Sequence, residues 1–426
     1  MKLQYQSLSV ALLLLLACCR LGAAELYITA AGMVDTVNGR WVEAPAVIVA
    51  GERIVQVGTQ ASLPKPADAE HIDLGAATLL PGLMDMHVHL SSAPKSVPFL
   101  EAKLQSIPRR TVNAVRNARL SLDAGFTSVR DLGSGGVSVI AVRDGIAAGE
   151  IVGPRIWASG PSLGITGGHC DNNFFPPELE VRSEGVADGP WAVRTKVREV
   201  IKLGANTIKF CATGGVFSRG TTVGAQQYSL EEMQAIVEEG HRRGLVVAAH
   251  AHGTEGIKAA ILAGVDSVEH ASILDADAIR LAKRRGTVLS MDIYNTEYTQ
   301  SVGRANGIPE ENLRKDAEVA EVQRESFRAA VEKGVNMVFG SDAAIYPHGD
   351  NASQFAVMVA YGMTELQALQ AATVNAAALM KDDNLGAIAP GKFADIIAVP
   401  GNPLEDIRVT EAVSFVMKGG VIHKTP

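Results

Sequence analysis

The feature that most constrains the fold is a series of eight apolar, strand-like runs that alternate with helical stretches. The runs read GLMDMHVHL, FTSVRDLG, RIWASG, NTIKFCA, LVVAAHA, SVEHA, TVLSMDI and VNMVFGSD. Amphipathic segments such as SLEEMQAIVEEGHRRG and DAIRLAKRRG lie between them and supply covering helices. This alternation is typical of an α/β protein with a parallel sheet, and eight repeats favour a (β/α)8 TIM barrel over a doubly wound sheet.

Short β-rich runs occupy both ends of the chain. LYITAAGMV, APAVIVAGERIVQVG and HIDLGAATLL come before the barrel pattern, and GAIAPGKFADIIAVPG and AVSFVMKGGVIHK come after it. The pair Gly419-Gly420 is typical of a hairpin turn. We therefore predict a small β-sandwich formed by residues 25–80 and 383–426, with the barrel occupying residues 81–382.

Composition limits the possible partners. The chain has 426 residues, of which 47% are hydrophobic, so it can bury a large core. Its formal net charge is −7, and it contains no run rich in lysine and arginine that would suit a polyanion. A nucleic-acid partner is therefore not expected.

The first 24 residues have the features of a signal peptide. A basic start is followed by an apolar stretch centred on Leu12–Leu16 and then by the small residues GAA. The apolar run is shorter than the roughly 20 residues that a bilayer requires, which favours export to the periplasm or medium over a membrane span. LLAC, which ends at Cys18, also resembles a lipoprotein cleavage box, so lipid attachment at Cys18 is an alternative.

Removal of that segment leaves two of the four cysteines, Cys170 and Cys211. Two cysteines cannot be the framework of a domain this large, so stability must come from packing. Their spacing does not decide whether they pair.

Candidate metal ligands lie at the ends of the strand-like runs, where a barrel of this kind builds its active site. The first run ends in His87 and His89, and the fifth ends in His250 and is followed by His252. Residues i and i+2 of a strand point to the same side, so both imidazoles of a pair can face one ion. A histidine alone would fit a hydrogen-bonded core or surface role, whereas paired histidines with distant partners favour a metal.

The fourth run contains a charged residue, Lys209, within an apolar strand, where an unpaired ammonium group is costly to bury. Its head could reach out of the end of the barrel, or form a salt bridge with Asp342 or Glu269. A third interpretation is a lysine carbamate, an anionic group with two oxygens that can bridge two cations. The histidines at the neighbouring strand ends favour the carbamate.

Two further strand ends complete the set. His270 ends the sixth run and, with His250, could hold a second ion. His252 fits a third ligand, a substrate contact or the start of the next helix, and we favour substrate contact. Asp342 in FGSD fits either a helix N-cap or a carboxylate that binds one ion and accepts a proton from water.

These motifs together resemble the amidohydrolase superfamily. The resemblance covers nearly all of the mature sequence and rests on PGLMDMHVHL, IKFCATGG, VAAHAHG, SVEHA, FGSD and GAIAPGKFADIIAV. The order His-x-His, Lys, His, His, Asp is similar to a binuclear group of that superfamily. This group includes bacterial Xaa-Pro dipeptidases, carboxypeptidase-like enzymes and ochratoxin-degrading amidohydrolases.

The resemblance implies a cofactor, a reaction and an assembly. One zinc ion would be held by His87, His89 and Asp342, a second by His250 and His270, and carboxylated Lys209 would bridge them. The enzyme would hydrolyse the amide bond of N-acyl amino acids or dipeptides and release the C-terminal amino acid. Cleavage of ochratoxin A to ochratoxin α and phenylalanine fits this chemistry. A homo-oligomer is also expected.

Substrate contacts are implied by the same resemblance. A histidine in a TGGH context and a tyrosine after the fourth strand correspond to His169 and Tyr228, with Arg219 nearby as a carboxylate partner. Alternatively, His169 is a loop histidine without such a role. Tyr228 could be a packing residue at a helix start, because YSLEE also predicts that Ser229 caps the helix.

Three other functions stay open at this point. An imidazolonepropionase-like hydrolase of cyclic amides shares the barrel but lacks the bridging lysine. A deaminase of the same superfamily is a second alternative. An exported solute-binding protein, which would use metal only to hold its ligand, is a third.

Overall fold

The computed structural model describes residues 25–92 and 98–426. The predicted signal peptide and Cys18 lie outside the described residues. Within the described ranges, no helix is both long enough and apolar enough to cross a bilayer.

The strands of the described residues are numbered in chain order. They are β1 (Glu25–Thr29), β2 (Gly32–Asp35), β3 (Arg40–Glu43), β4 (Pro45–Ala50), β5 (Arg53–Thr59), β6 (Glu70–Asp73), β7 (Ala77–Pro81), β8 (Leu83–Val88), β9 (Phe126–Asp131), β10 (Arg155–Ala158), β11 (Ile208–Cys211), β12 (Val247–Ala251), β13 (Ser267–His270), β14 (Val288–Ser290), β15 (Met337–Val338), β16 (Ile396–Pro400), β17 (Phe415–Lys418) and β18 (Val421–Lys424).

The helices of the same residues follow. They are α1 (Phe99–Lys103), α2 (Ile107–Asp123), α3 (Ser138–Ala147), α4 (Pro190–Leu203), α5 (Leu230–His241), α6 (Thr254–Ala263), α7 (Ala276–Arg285), α8 (Asn295–Val302), α9 (Glu310–Glu332), α10 (Ser353–Ala360), α11 (Glu365–Ala371) and α12 (Val374–Leu379).

Eight parallel strands form the barrel wall. They run β10-β9-β8 in one sheet and β11 through β15 in a second. Parallel bridges join the edges of the two sheets, between Leu163 and Phe210 on one side and between Val88 and Ala343 on the other. The predicted α/β barrel is confirmed, and each of the eight apolar runs contains one of its strands.

Apolar periodicity attaches the helices to this wall. In α4, for example, the buried side chains are Val193, Val197 and Val200, which repeat every three or four residues and therefore share one face. Helix α5 begins with a capping box, in which Ser229 and Glu232 each accept a hydrogen bond from the other's backbone N–H. The predicted cap at Ser229 is confirmed.

Both chain ends contribute to a β-sandwich, as predicted. One sheet has the order β5-β4-β1-β6, and the other has the order β18-β17-β16-β7-β2-β3. Buried side chains of both sheets, among them Ile28, Leu79 and Phe415, form one apolar cluster. Gly419 and Gly420 have φ values of 55° and 75° in the turn between β17 and β18, a left-handed conformation that suits glycine, so the hairpin prediction is confirmed.

Candidate active site

The carboxyl ends of the barrel strands open into a cavity of about 530 Å³. This volume is in the range of cavities that hold a small molecule. Eight of the residues singled out from the sequence line it: His87, His89, His169, Lys209, His250, His252, His270 and Asp342. Residues separated by more than 250 positions in the chain thus meet in one place because parallel strands end at the same mouth of the barrel.

One cluster of potential ligands comprises His87, His89 and Asp342, and we call it the Asp342 group. Asp342 Oδ1 lies 3.2 Å from His89 Nε2 and 3.7 Å from His87 Nε2. Burial alone would raise the pKa of Asp342, but its two histidine neighbours hold that pKa well below the usual range. The carboxylate is therefore ionised and faces two imidazole nitrogens, which is a donor set that suits a divalent cation.

A second cluster comprises His250, His252 and His270, and we call it the His250 group. The rings of His250 and His270 meet edge to face with centroids 4.6 Å apart, and His252 stacks on His270 at 4.8 Å. Burial holds the pKa of His250 and His252 well below the usual value, so both rings are neutral, as metal ligands must be. Among the described residues, His250 Nε2 is buried without a hydrogen-bond partner.

Lys209 lies on β11, beside the strand that carries His250, and its Nζ is 3.5 Å from His87 Nε2. Burial lowers the pKa of this amine to about 8. Within residues 25–92 and 98–426, no carboxylate oxygen comes within 4.0 Å of Nζ, so the salt bridge considered from the sequence does not form. The amine lies instead beside the imidazole of His87.

Four of these histidines are oriented through their Nδ1 atoms. Two of them contact carboxylates: Nδ1 of His87 lies 3.2 Å from Glu269, and Nδ1 of His270 lies 2.7 Å from Asp292. The other two contact neutral oxygens: Nδ1 of His252 lies 2.7 Å from Ser272 Oγ, and Nδ1 of His89 lies 2.9 Å from the carbonyl oxygen of Gly133. Such contacts fix the ring and leave Nε2 directed at the cavity, an arrangement that surrounds metal ligands in many proteins.

Glu269 is itself fixed by a fully buried arginine. Arg130 Nη2 lies 2.9 Å from Glu269 Oε1, and Arg130 also donates hydrogen bonds to Met86 O and Ser267 Oγ. Burial would raise the pKa of Glu269, but Arg130 and His87 hold it well below its usual range. The Asp342 group therefore depends on a buried ion pair behind it.

The backbone is strained at two of the strand ends. His270 and Asp342 have φ values of 68° and 53°, in the left-handed region that non-glycine residues rarely adopt. Strain of this kind is found at functional sites, where surrounding contacts over-determine the conformation. Both residues line the cavity.

The long loop after β10 is tied to the site by a disulfide. Cys170 is bonded to Cys211 at the end of β11, with a Cα–Cα distance of 5.9 Å. His169, next in the chain to Cys170, stacks on His250 with centroids 4.2 Å apart, and its Nδ1 lies 2.8 Å from Ser218 Oγ. The pairing that spacing left open is thus decided by the fold, and His169 lies over the His250 group.

Two residues assigned to substrate contact are placed elsewhere. Tyr228 is completely buried and donates a hydrogen bond to Ala187 O, at 3.0 Å, because the capped start of α5 turns its ring into the core beside Phe210. The packing alternative is the one that the structure supports. Arg219 is exposed and does not line the cavity.

Several site residues had no place in the interpretation of the sequence. Asp292 ends the seventh apolar run, so its position alone could have identified it. Arg130 lies within a strand-like run, as Lys209 does, and the same burial reasoning applies to it. Lys103 and Arg110 also line the cavity, but they come from ordinary helical sequence that gives no signal.

The amidohydrolase family model matches residues 78–425, which is most of the chain and includes every residue of both ligand groups. The chain belongs to the amidohydrolase family. This establishes the superfamily that the sequence motifs indicated, and with it a hydrolytic enzyme that acts on amide bonds.

Individual amidohydrolases are similar to this chain in sequence and in structure. An ochratoxinase from Aspergillus niger is 34% identical over 431 residues, covering 95% of this chain and 88% of its own. A crystal structure of a Xaa-Pro dipeptidase with methionine bound in its active site is 36% identical, with a TM-score of 0.86 over 94% of this chain and all of that one. A prolidase complexed with N-methylphosphonate-L-proline is 31% identical, with a TM-score of 0.87 over 95% of this chain and 100% of that one.

Proposed function

We propose that this amidohydrolase holds two zinc ions and releases the C-terminal amino acid from N-acyl amino acids and dipeptides, with ochratoxin A among its substrates. The observation that carries the proposal is the meeting of the Asp342 group, the His250 group and Lys209 in one cavity. The relatives named above, an ochratoxinase, a Xaa-Pro dipeptidase and a prolidase, support the substrate class.

The donor set fits a pair of divalent cations. Imidazole nitrogens and one ionised carboxylate are typical zinc ligands. The buried Nε2 of His250 has no hydrogen-bond partner among the described residues, and a cation would satisfy it. His87, His89 and Asp342 would hold one ion and His250 and His270 the other.

Lys209 completes the proposed centre as a carbamate. Its amine is buried beside His87 and lies on the strand next to that of His250, so an anionic group there would face both ligand groups. A neutral amine is the form that reacts with carbon dioxide, and burial favours the neutral form. If Lys209 were not carboxylated, the imidazolonepropionase-like alternative would gain support.

When bound, the two ions would acidify water and polarise the substrate carbonyl. The chain itself supplies the proton transfer, because Asp342 is ionised and faces the cavity. Asp342 accepts a proton from the attacking water and delivers it to the departing nitrogen. His169 and His252, which line the same cavity, contact the substrate.

A direct assay tests this function. Purified protein is incubated with ochratoxin A, with other N-acyl amino acids, with dipeptides and with hydantoins, and free amino acid is measured by chromatography alongside metal content. We expect release of the C-terminal amino acid and about two zinc ions per chain. Turnover of hydantoins alone would instead favour a hydrolase of cyclic amides.

Export and self-association belong to the same proposal. A disulfide in the cavity wall suits an oxidising compartment outside the cytoplasm, in keeping with the signal peptide predicted for residues 1–24. Mass spectrometry of the mature N-terminus tests this, with Glu25 expected as the first residue. Light scattering tests the expected homo-oligomer.

A further inference from the structure

A basic and aromatic patch lines the cavity apart from the two ligand groups. It comprises Phe99 and Lys103 of α1, Arg110 of α2 and Phe217 after β11, and we call it the Lys103 patch. The rings of Phe99 and Phe217 lie 5.9 Å apart. None of these residues has a role in the chemistry described above.

Lys103 lines the cavity, and its ammonium group lies over two aromatic rings. Its Nζ lies 5.1 Å from the ring centroid of Phe99 and 5.7 Å from that of Phe174. Throughout the part of the chain that the structure describes, no carboxylate lies within 4.0 Å of it. Aromatic faces compensate only part of the cost of removing an ammonium group from water, so an anion supplied by a ligand would be bound favourably here.

Arg110 adds a second positive charge at the same wall. Its Nη2 donates a hydrogen bond to the carbonyl oxygen of Lys103 at 3.1 Å. Glu184 also lines the cavity, but its Oε2 accepts a hydrogen bond from Gly136 N at 2.9 Å. Burial lowers the pKa of the Arg110 guanidinium group, whereas the charge of Glu184 raises it, and Arg110 is the charged neighbour of Lys103 in the cavity wall.

The patch and the two ligand groups line the same cavity. Lys103 lines this cavity together with His169 and His250. His169 in turn stacks on His250. An anion held by Lys103 would therefore share the cavity with the His250 group.

We propose that Lys103 binds the free carboxylate of the leaving amino acid, while Phe99 and Phe217 contact its apolar side chain. This inference rests on the proposed function and names the groups that recognise the C-terminal acid. It transfers to Lys103 the role that the sequence assigned to Arg219, which is exposed outside the cavity. The enzyme should prefer large apolar C-terminal residues with a free acid.

The test compares N-acetyl-L-phenylalanine with N-acetyl-L-phenylalaninamide, following acetate release by wild type and by Lys103→Met, which keeps the chain length and removes the charge. Because a hydrogen bond to a charged group is lost, we expect KM for the acid to rise about 10- to 100-fold, with kcat nearly unchanged. KM for the amide should not change. Lys103→Arg should restore most of the affinity for the acid.

Arg219→Met is the matched control, because it removes the same charge from outside the cavity. We expect it to leave both KM values at the wild-type level. The inference fails if Lys103→Met raises KM for the acid and for the amide equally. It also fails if the rise in KM that is specific to the acid occurs in Arg219→Met instead.

Calorimetry separates this inference from the proposed function. L-phenylalanine and L-phenylalaninamide are titrated into the wild-type protein and into Lys103→Met. Tighter binding of the acid that disappears in Lys103→Met supports the carboxylate site even if no substrate is hydrolysed. Equal binding of acid and amide by the wild-type protein overturns it even if hydrolysis is observed.

Discussion

The Asp342 group and the His250 group occupy the same cavity but differ in charge and in support. The Asp342 group contains a carboxylate, and behind it Glu269 is paired with the buried Arg130. The His250 group contains three imidazoles and no carboxylate. Asp292 contacts His270, and the loop that the disulfide holds places His169 over His250. A negative ligand binds a divalent cation more strongly than neutral ones do, so we expect the Asp342 group to retain its ion longer.

Metal removal gives the largest expected effect. Dialysis against a chelator should abolish hydrolysis, and zinc should leave in two steps, first from the His250 group. Calorimetric titration of the apo protein with zinc would measure the two affinities. A single step, or full activity without metal, would contradict the comparison.

Replacing Asp342 tests the proton transfer. Asp342→Asn removes the group that accepts the proton, so we expect kcat to fall about 10²- to 10⁴-fold while metal is retained at saturating zinc. Steady-state kinetics and metal analysis of the same sample provide the check. Wild-type turnover in this variant would remove the carboxylate from the mechanism.

Replacing Lys209 tests the link between the groups. Lys209→Ala removes the proposed bridging anion, so both metal content and turnover should fall sharply. Metal analysis by mass spectrometry measures the first and the substrate assay the second. Full zinc occupancy in this variant would exclude the carbamate.

The supporting acids sharpen the contrast. Glu269→Gln should weaken zinc binding by the Asp342 group about 10- to 100-fold, and Asp292→Asn should do the same for the His250 group. Glu269→Gln also leaves Arg130 buried without its counter-charge, which should lower the free energy of unfolding by about 3–5 kcal/mol. Zinc titration and thermal unfolding distinguish the two variants. If both variants lost the same free energy of unfolding, the Arg130–Glu269 ion pair would contribute no more to stability than the Asp292 contact does.

The disulfide gives the smallest expected effect, restricted to the side of the His250 group. Replacing Cys170 and Cys211 by serine should lower the free energy of unfolding by about 2–4 kcal/mol. Turnover should decrease because His169 loses its fixed position over His250, while zinc binding by the Asp342 group should not change. Reduced wild type should behave like the double variant.

Much of this site could be predicted because barrel geometry converts a position in sequence into a position in space. His87, His89, His250 and Asp342 each end an apolar run, and all strand ends meet at one mouth. Tyr228 and Arg219 do not line the cavity, because they lie in the segment beyond a strand end, where the local backbone decides the direction of a side chain. For Tyr228 that backbone is the capped start of α5, which turns the ring into the core.

The sequence by itself determined the barrel, the sandwich of the two chain ends and the residues at the strand ends, because apolar periodicity and i, i+2 spacing are local properties of the chain. Only the tertiary structure decided which other residues contact the strand-end residues and hold them in place. The pairing of Arg130 with Glu269, the disulfide and the Lys103 patch join segments that are distant in sequence. Such contacts depend on how loops and helices pack across the cavity, and no local pattern encodes that packing.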